Sequence, residues 1–388
     1  MGYPKSHFKD CALSCLTAGA MMAGLSAPRA AWAVNPDIPR IEAGAEKGSV
    51  LEELKLGNAY LTGRGVERNE KQAAYWYEKA ANSGEPQAQR EIGHFYMAGI
   101  GVERDPVRAV RWYERAIAGG LVSAKVNLGV AYLWGLGVQR DDAFAVKLFQ
   151  EAAAKGSGAG AGYMGTLYYY GKCVRKDAVE ARRWYELGSK LHDAPAEHDL
   201  ALMLAAARNP SDRGRVVKLL RESAKTGYVP ARYDLGFFLL RNPEFAKSRQ
   251  EPVSLLEEAG REGMWKASVV LGIIARDGLG VPKDAAAAYY HFWIAKLQGG
   301  AAAAKLVATD LKVISAEFIP DQAERLKSEA AEWYKEHPPS LQYLHEDGED
   351  RMEFSAFALQ SPDRDIHAGR PTTLPPPLLT EDWNPSTP

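Results

Sequence analysis

Apolar residues recur along this chain at helical spacing. Leu56, Ala59 and Tyr60 fall on one face of a helix, and so do Ala73, Trp76, Tyr77 and Ala80. Glycines punctuate these segments. A Gly-x-Gly-Val turn, Gly63/Gly65/Val66, follows the first, and Gly84 ends the second. The turn returns at Gly99/Gly101/Val102, Gly135/Gly137/Val138 and Gly278/Gly280/Val281. The closing glycine returns at Gly120, Gly156, Gly227, Gly263 and Gly299. Glycine permits positive φ, which lets the chain reverse between helices. The pattern predicts pairs of helices of about 12–14 residues each.

The pairs are periodic. Leu56-Gly57 returns as Ile92-Gly93, Leu128-Gly129, Met164-Gly165, Leu200-Ala201, Leu235-Gly236 and Leu271-Gly272, at steps of 36 residues with one of 35. Three residues on, Tyr60, Tyr96, Tyr132 and Tyr168 form a second column, continued by Leu204, Leu239 and Ala275. Ala88, Ala124, Gly160, Ala196, Ala231, Ala267 and Ala303 form a small-residue column. Trp76, Trp112, Leu148, Trp184, Leu219 and Leu255 mark the second helices. One such pair cannot bury its apolar face alone, whereas stacked pairs can. The expected fold is all-α: a right-handed α/α superhelical solenoid of about seven 36-residue helix pairs. A continuous array then replaces the two or three domains that 388 residues suggest.

These columns resemble the Sel1-like repeat, a relative of the tetratricopeptide repeat. The second unit carries the pattern in Ala88, Ile92, Gly93, Tyr96, Gly99, Gly101, Val102, Asp105, Ala109, Trp112 and Gly120. The resemblance runs over residues 50–303. Two units depart from it. One reads Ala207-Arg208-Asn209-Pro210 in place of the Gly-x-Gly turn, and the next reads Arg241-Asn242-Pro243, so altered loops are expected. Cys173 replaces the second turn glycine of the fourth unit, which implies a turn residue with no redox role.

The array is expected to fill residues 50–308, after a short loop-like linker at 34–49. Pro320 opens a further helix near Asp321–Glu336, whose stripe of Ala323, Leu326, Ala330 and Trp333 suits a capping helix region at 309–337. Nine of the 22 prolines fall in 338–388, the composition of a disordered tail or a short docking peptide. At the other end, residues 1–33 read as a secretory signal peptide. Lys5 and Lys9 precede an uncharged stretch from Cys11 to Ala27, and Ala31-Trp32-Ala33 gives a cleavage site after Ala33. The alternative is an anchoring helix, but the stretch falls short of the ~20 residues needed to span. The reading implies an exported, most simply periplasmic, protein with no transmembrane anchor after cleavage. Cys173 is then the single cysteine, and no internal disulfide can form.

The chain holds 48 basic and 49 acidic residues, and cleavage leaves 45 and 48. Neither balance attracts nucleic acid or anionic lipid. No catalytic signature survives inspection. Gly160-x-Gly162-x-x-Gly165 spells a dinucleotide fingerprint, but it follows a helix rather than a strand. His192, Asp193 and His198 fall on different helix faces with no third ligand in view. No cofactor and no metal site is therefore expected.

A binding surface remains. By analogy with tetratricopeptide repeats, the residue after each column glycine points into a concave groove: Asn58, His94, Val130, Thr166, Leu202, Phe237 and Ile273. Neighbouring columns add Arg90, Tyr169 and Tyr233. The apolar half of this stripe has two readings, packing against the adjacent helix or contact with a partner. The resemblance implies a non-catalytic scaffold or adaptor for a protein or peptide, in envelope assembly, exopolysaccharide export or periplasmic signalling. The alternative is a binder of carbohydrate or peptidoglycan fragments that stacks sugars on Trp134, Tyr169 and Tyr170.

Overall fold

A computed structural model describes residues 37–337, so the readings of the signal and the tail lie outside the described residues. Among the described residues there are sixteen α-helices and no strand. The chain divides into two compact units, one up to Lys79 and one from Ala80.

The first unit holds α1 (Ile38–Glu46), α2 (Val50–Thr62) and most of α3 (Glu70–Asn82). Helix α1 corrects the expectation of a loop at 34–49. Its Ile38, Ile41 and Ala45 recur at helical spacing and are buried in one cluster with Leu56 and Ala59. Glu53, 1 % exposed, is held by Lys79 Nζ at 3.1 Å. The same ammonium donates to the Ala45 carbonyl at 2.7 Å, so one charge ties α1, α2 and α3 together.

The second unit is a succession of helix pairs. These are α4 (Pro86–Ala98) with α5 (Pro106–Ala118), α6 (Ser123–Trp134) with α7 (Asp142–Ala154), and α8 (Gly158–Tyr170) with α9 (Ala178–Lys190). They continue as α10 (Ala194–Ala206) with α11 (Arg213–Lys225), α12 (Val229–Arg241) with α13 (Glu251–Arg261), and α14 (Trp265–Asp277) with α15 (Ala285–Ser315). Each helix packs on its partner and then on the next pair. Aspartates start the second helices: Asp105, Asp141 and Asp284 each accept from the backbone N–H three residues on, at 2.9 Å. Such a cap is worth about 1 kcal/mol.

Within each pair the column glycine receives a ring. A Cβ on Gly93 would lie 2.7 Å from Tyr113, on Gly129 2.7 Å from Phe149, on Gly165 2.6 Å from Tyr185 and on Gly272 2.5 Å from Phe292. All four rings are fully buried. They come from the residue after the Trp112 column, so the main space-filler sits one position beyond the tryptophans. The two departing pairs trade sizes. Ala201 and Leu220 are both wholly buried in one cluster, and Gly236 meets Leu256.

The turns follow the glycines. Gly137 has φ 70°, and a Cβ there would lie 2.3 Å from the Pro106 carbonyl. Cys173 occupies the equivalent place at φ 62°, a left-handed conformation that costs a non-glycine residue about 1 kcal/mol. Burial, and then the neighbouring Asp142 carboxylate, push its thiol up to about 12. In the departing units, single 3₁₀ turns at Pro210–Asp212 and Pro243–Phe245 take over, with Arg208 in the left-handed region.

At the end of the chain, α15 breaks at Gly300 (φ 52°, ψ −133°) and continues to Ser315, beyond the boundary at 308 expected from the repeats. Helix α16 (Pro320–Glu336) follows, and Leu326 and Ala323 join the cluster of Tyr289, Phe292 and Leu311.

Two outcomes follow from this packing. Gly129→Ala alone should cost about 1–3 kcal/mol in denaturant unfolding. Adding Phe149→Leu, which reproduces the Ala201–Leu220 pairing, should recover at least ~0.5 kcal/mol relative to additivity. Cys173→Gly should raise stability by about 1 kcal/mol, and the wild-type thiol should resist alkylation at pH 8.

Candidate binding face of the first helices

The first helices of the pairs carry the residues expected in the groove, and the structure divides that set. Asn58 is exposed on α2 in the first unit. In the second unit, Arg90 and His94 are half-buried on α4, and Tyr169 and Ile273 are half-buried on α8 and α14. Burial, with help from Arg90, holds the His94 imidazole down at about 4, so it is neutral at physiological pH.

Val130, Thr166, Leu202, Tyr233 and Phe237 are all less than 9 % exposed, which corrects their assignment to an open groove. The Tyr233 and Phe237 rings stack at 6.4 Å inside a cluster with Leu256 and Ile274. Thr166 accepts from the Tyr185 hydroxyl at 3.1 Å and donates to the Gly162 carbonyl. The physical reason is the close helix approach that the glycine column allows. At Val130, Thr166, Leu202 and Phe237 the position after the column residue is covered by packed neighbours, whereas at Asn58, His94 and Ile273 it is not buried. The half-buried stripe lies two residues before the glycine, at Glu91, Asn127, Tyr163 and Asp199, and five after it, at Trp134 and Tyr170. The polarity of the first of these columns was the available signal.

Other candidate chemistry resolves as structure. Gly160, Gly162 and Gly165 lie inside α8, where they admit close neighbours. Asp193 accepts from the Ala196 N–H at 3.0 Å and so caps α10. Its carboxyl is raised to about 6 by burial, despite that bond, with Asp199 adding to the shift. The His192 side chain is 92 % exposed, with its Nδ1 4.0 Å from Glu197 Oε1, whereas His198 is buried. Among the described residues no group of three or more His, Cys, Asp or Glu side chains is arranged to hold a metal ion. Trp134 is not a bare stacking platform, because Lys172 Nζ lies over its ring at 5.0 Å.

The most concentrated chemistry spans α10 and α12, in the departing units. His198, 6 % exposed, contacts Asp234 Oδ2 through Nε2 at 2.7 Å and Asp199 Oδ1 through Nδ1 at 3.3 Å. Asp234 sits 36 residues beyond His198, one position past its repeat equivalent Tyr233, because the step between these two units is 35 residues. Burial disfavours the charged ring, but bonds to Asp199 and Asp234 outweigh it and raise the imidazole to about 9. The ring also meets Tyr228 edge-on at 5.5 Å. Asp199, whose side chain keeps 19 % of its surface exposed, is raised by burial and by Asp234, while His198 draws it down. Tyr169 and Tyr170 lie close enough for the Asp199 charge to raise both phenols beyond the effect of burial. The two rings pack edge to face at 5.1 Å.

Among the described residues, an all-helical array of stacked helix pairs with a half-buried polar and aromatic face has the architecture of a helical repeat protein. Five segments match the Sel1 repeat: 53–85, 86–121, 122–157, 160–193 and 266–299. The chain is a Sel1 repeat protein. Such proteins generally mediate protein–protein interaction and are generally non-catalytic. The matches leave out 194–265, the two departing units that hold His198 and Asp234. Among solved structures, a Sel1 repeat protein from Oxalobacter formigenes shares 27 % identity at a TM-score of 0.52, over 65 % of this chain and 99 % of that one. A protective antigen of uropathogenic Escherichia coli with an SLR fold shares 23 % identity at 0.39, over 81 % and 76 %. A putative Sel1 repeat protein from Klebsiella pneumoniae shares 19 % at 0.37, over 52 % and 98 %. No curated protein sequence matches this chain. No helix among the described residues is long and apolar enough to cross a membrane.

The charged cluster sets a pH dependence. A histidine raised from about 6.5 to about 9 contributes stability that is complete below 6.5 and is lost as pH rises through 9. That contribution is on the order of 3 kcal/mol. Denaturant midpoints between pH 6 and 10 should fall accordingly. His198→Gln should cost about 3–5 kcal/mol at pH 7 by stranding two carboxylates, and should flatten the decline.

Proposed function

We propose that this protein is an exported, non-catalytic adaptor that holds a partner protein or peptide against the first-helix face of its repeats. One observation carries the reading. The half-buried columns on α4, α6, α8 and α10 present Glu91, Asn127, Trp134, Tyr163, Tyr170 and Asp199, a polar and aromatic mixture suited to peptide contact. Half-burial matters here, because a side chain already fixed by its neighbours loses little freedom on binding. The apolar residues once open to a groove reading, Phe237 and Tyr233 among them, serve the core instead. Export rests on the basic start, apolar stretch and Ala31-Trp32-Ala33 site at the N-terminus.

Photo-crosslinking in the native host tests the adaptor reading. A photoreactive amino acid at Asn127 or Tyr169 should capture a discrete partner, and one at the exposed Arg111 of α5 should not. Crosslinks confined to Arg111 would place the partner on the second helices and refute the reading. N-terminal sequencing of the exported protein should begin at Val34.

A further inference from the structure

We infer that the partly exposed Asp199 carboxylate of α10, with Tyr169 and Tyr170 of α8 beside it and the His198–Asp234 contact to α12 behind it, receives one cationic side chain, a lysine or an arginine, of the bound partner. The inference rests on the first-helix face being the docking face, and it names the chemistry that face selects. Charge supplies the argument. One imidazole, His198, serves two carboxylates, Asp199 and Asp234. Even with the ring protonated, the group is one positive charge short. The charges acting on Asp199 are His198 and Asp234, and the nearby groups that feel Asp199 in turn are Asp193, Tyr169, Tyr170 and Tyr185. None of these supplies a second cation.

Unpartnered polar atoms point the same way. Asp234 is 5 % exposed and its Oδ1 has no hydrogen-bond partner. Tyr233, 3 % exposed and close enough to feel the Asp234 charge, has a buried hydroxyl with no partner. The Tyr170 hydroxyl, in the field of Asp199, is buried without a partner as well. Of these three buried atoms, the Asp234 carboxylate oxygen can only accept and so calls for a donor, while the two hydroxyls retain both donor and acceptor capacity.

Access is at Asp199, whose side chain is 19 % exposed against 7 % for His198 and 6 % for Asp234. Beside it stand Tyr169 and Tyr170, whose ring faces attract cations. Lys176 Nζ already lies 6.0 Å from the Tyr169 centroid, so the incoming cation relies on the Asp199 carboxylate and the Tyr170 ring. An incoming ammonium or guanidinium meets a carboxylate and aromatic faces together, whereas an acidic side chain meets two carboxylates. The selectivity is therefore for positive charge, and it lies in the two units that depart from the repeat pattern.

Random-peptide display selected on the full chain, followed by fluorescence anisotropy of the best peptide, tests this. Recovered peptides should carry an arginine or lysine at a fixed position. Replacing that arginine with citrulline, its neutral isostere, should weaken binding at least about tenfold. Asp199→Asn should weaken it by a similar factor, and Glu114→Gln on the exposed side of α5 should leave it unchanged. Tyr170→Phe keeps the ring and removes the hydroxyl, and serves as the second variant if Asp199→Asn fails to fold. Peptides that crosslink to Tyr169 variants but are neutral or acidic, and that bind Asp199→Asn unchanged, would overturn the cation site and leave the docking face standing. Peptides that crosslink only to the second helices, or no recovered peptide at all, would overturn both.

Discussion

The structure depends on one contact, a ring seated on a glycine. In each regular pair of the second unit the first helix offers bare backbone at the column glycine, and a buried Tyr or Phe of the second helix fills it. Removing the Cβ lets the two helices close to ring-on-backbone distance. Burying each ring contributes about 2–3 kcal/mol. Because the contact recurs every 36 residues, it fixes the rotation of every first helix about its axis. That rotation decides which columns are covered by the next pair and which remain half-open. The proposed binding face is thus a consequence of the core geometry rather than a separate feature.

The two departing units keep the contact but change its chemistry. Leu220 and Leu256 stand where the other pairs have rings, and Ala201 stands where they have glycine. Where the regular pairs place Arg90, Val126 and Gly162 on their first helices, these two place His198 and Tyr233, followed by Asp199 and Asp234. The 35-residue step between Ala201 and Gly236 makes Tyr233 the equivalent of His198, and the imidazole meets the carboxylate of the next residue, Asp234. A buried charged pair of this kind is weak evidence for stability and a better sign of specificity. It sits where the Sel1 pattern lapses, between the fourth matched segment and the fifth.

Much of this was legible in the sequence. The glycine columns, the turns and the pairing of helices follow from periodicity alone, because few backbone solutions satisfy positive φ and close approach at a fixed interval. The turn role of Cys173 was legible for the same reason. The face was harder to read. A helix has several columns within one turn of each other, and periodicity does not say which is covered by the next pair. The column after the glycine comes by analogy, and its Val130, Thr166, Leu202 and Phe237 are core, as is Tyr233 of the neighbouring column. The ring column lay hidden behind the more conspicuous tryptophans, one residue earlier. Helix α1 was missed because nine residues with three apolar positions read as a linker until Leu56 and Ala59 are seen to cover them. The link between His198 and Asp234 was harder to read, because the two are not repeat equivalents: across the 35-residue step Tyr233 answers to His198, and Asp234 to Asp199.

The central claim is that partner contact falls on the first helices of the repeats and centres on the departing units. Hydrogen–deuterium exchange of the full chain, with and without its bound partner, tests it most directly. The account predicts added protection in α8, α10 and α12, with α9, α11 and α13 unchanged. Protection confined to the second helices, or to the regular pairs alone, would contradict it.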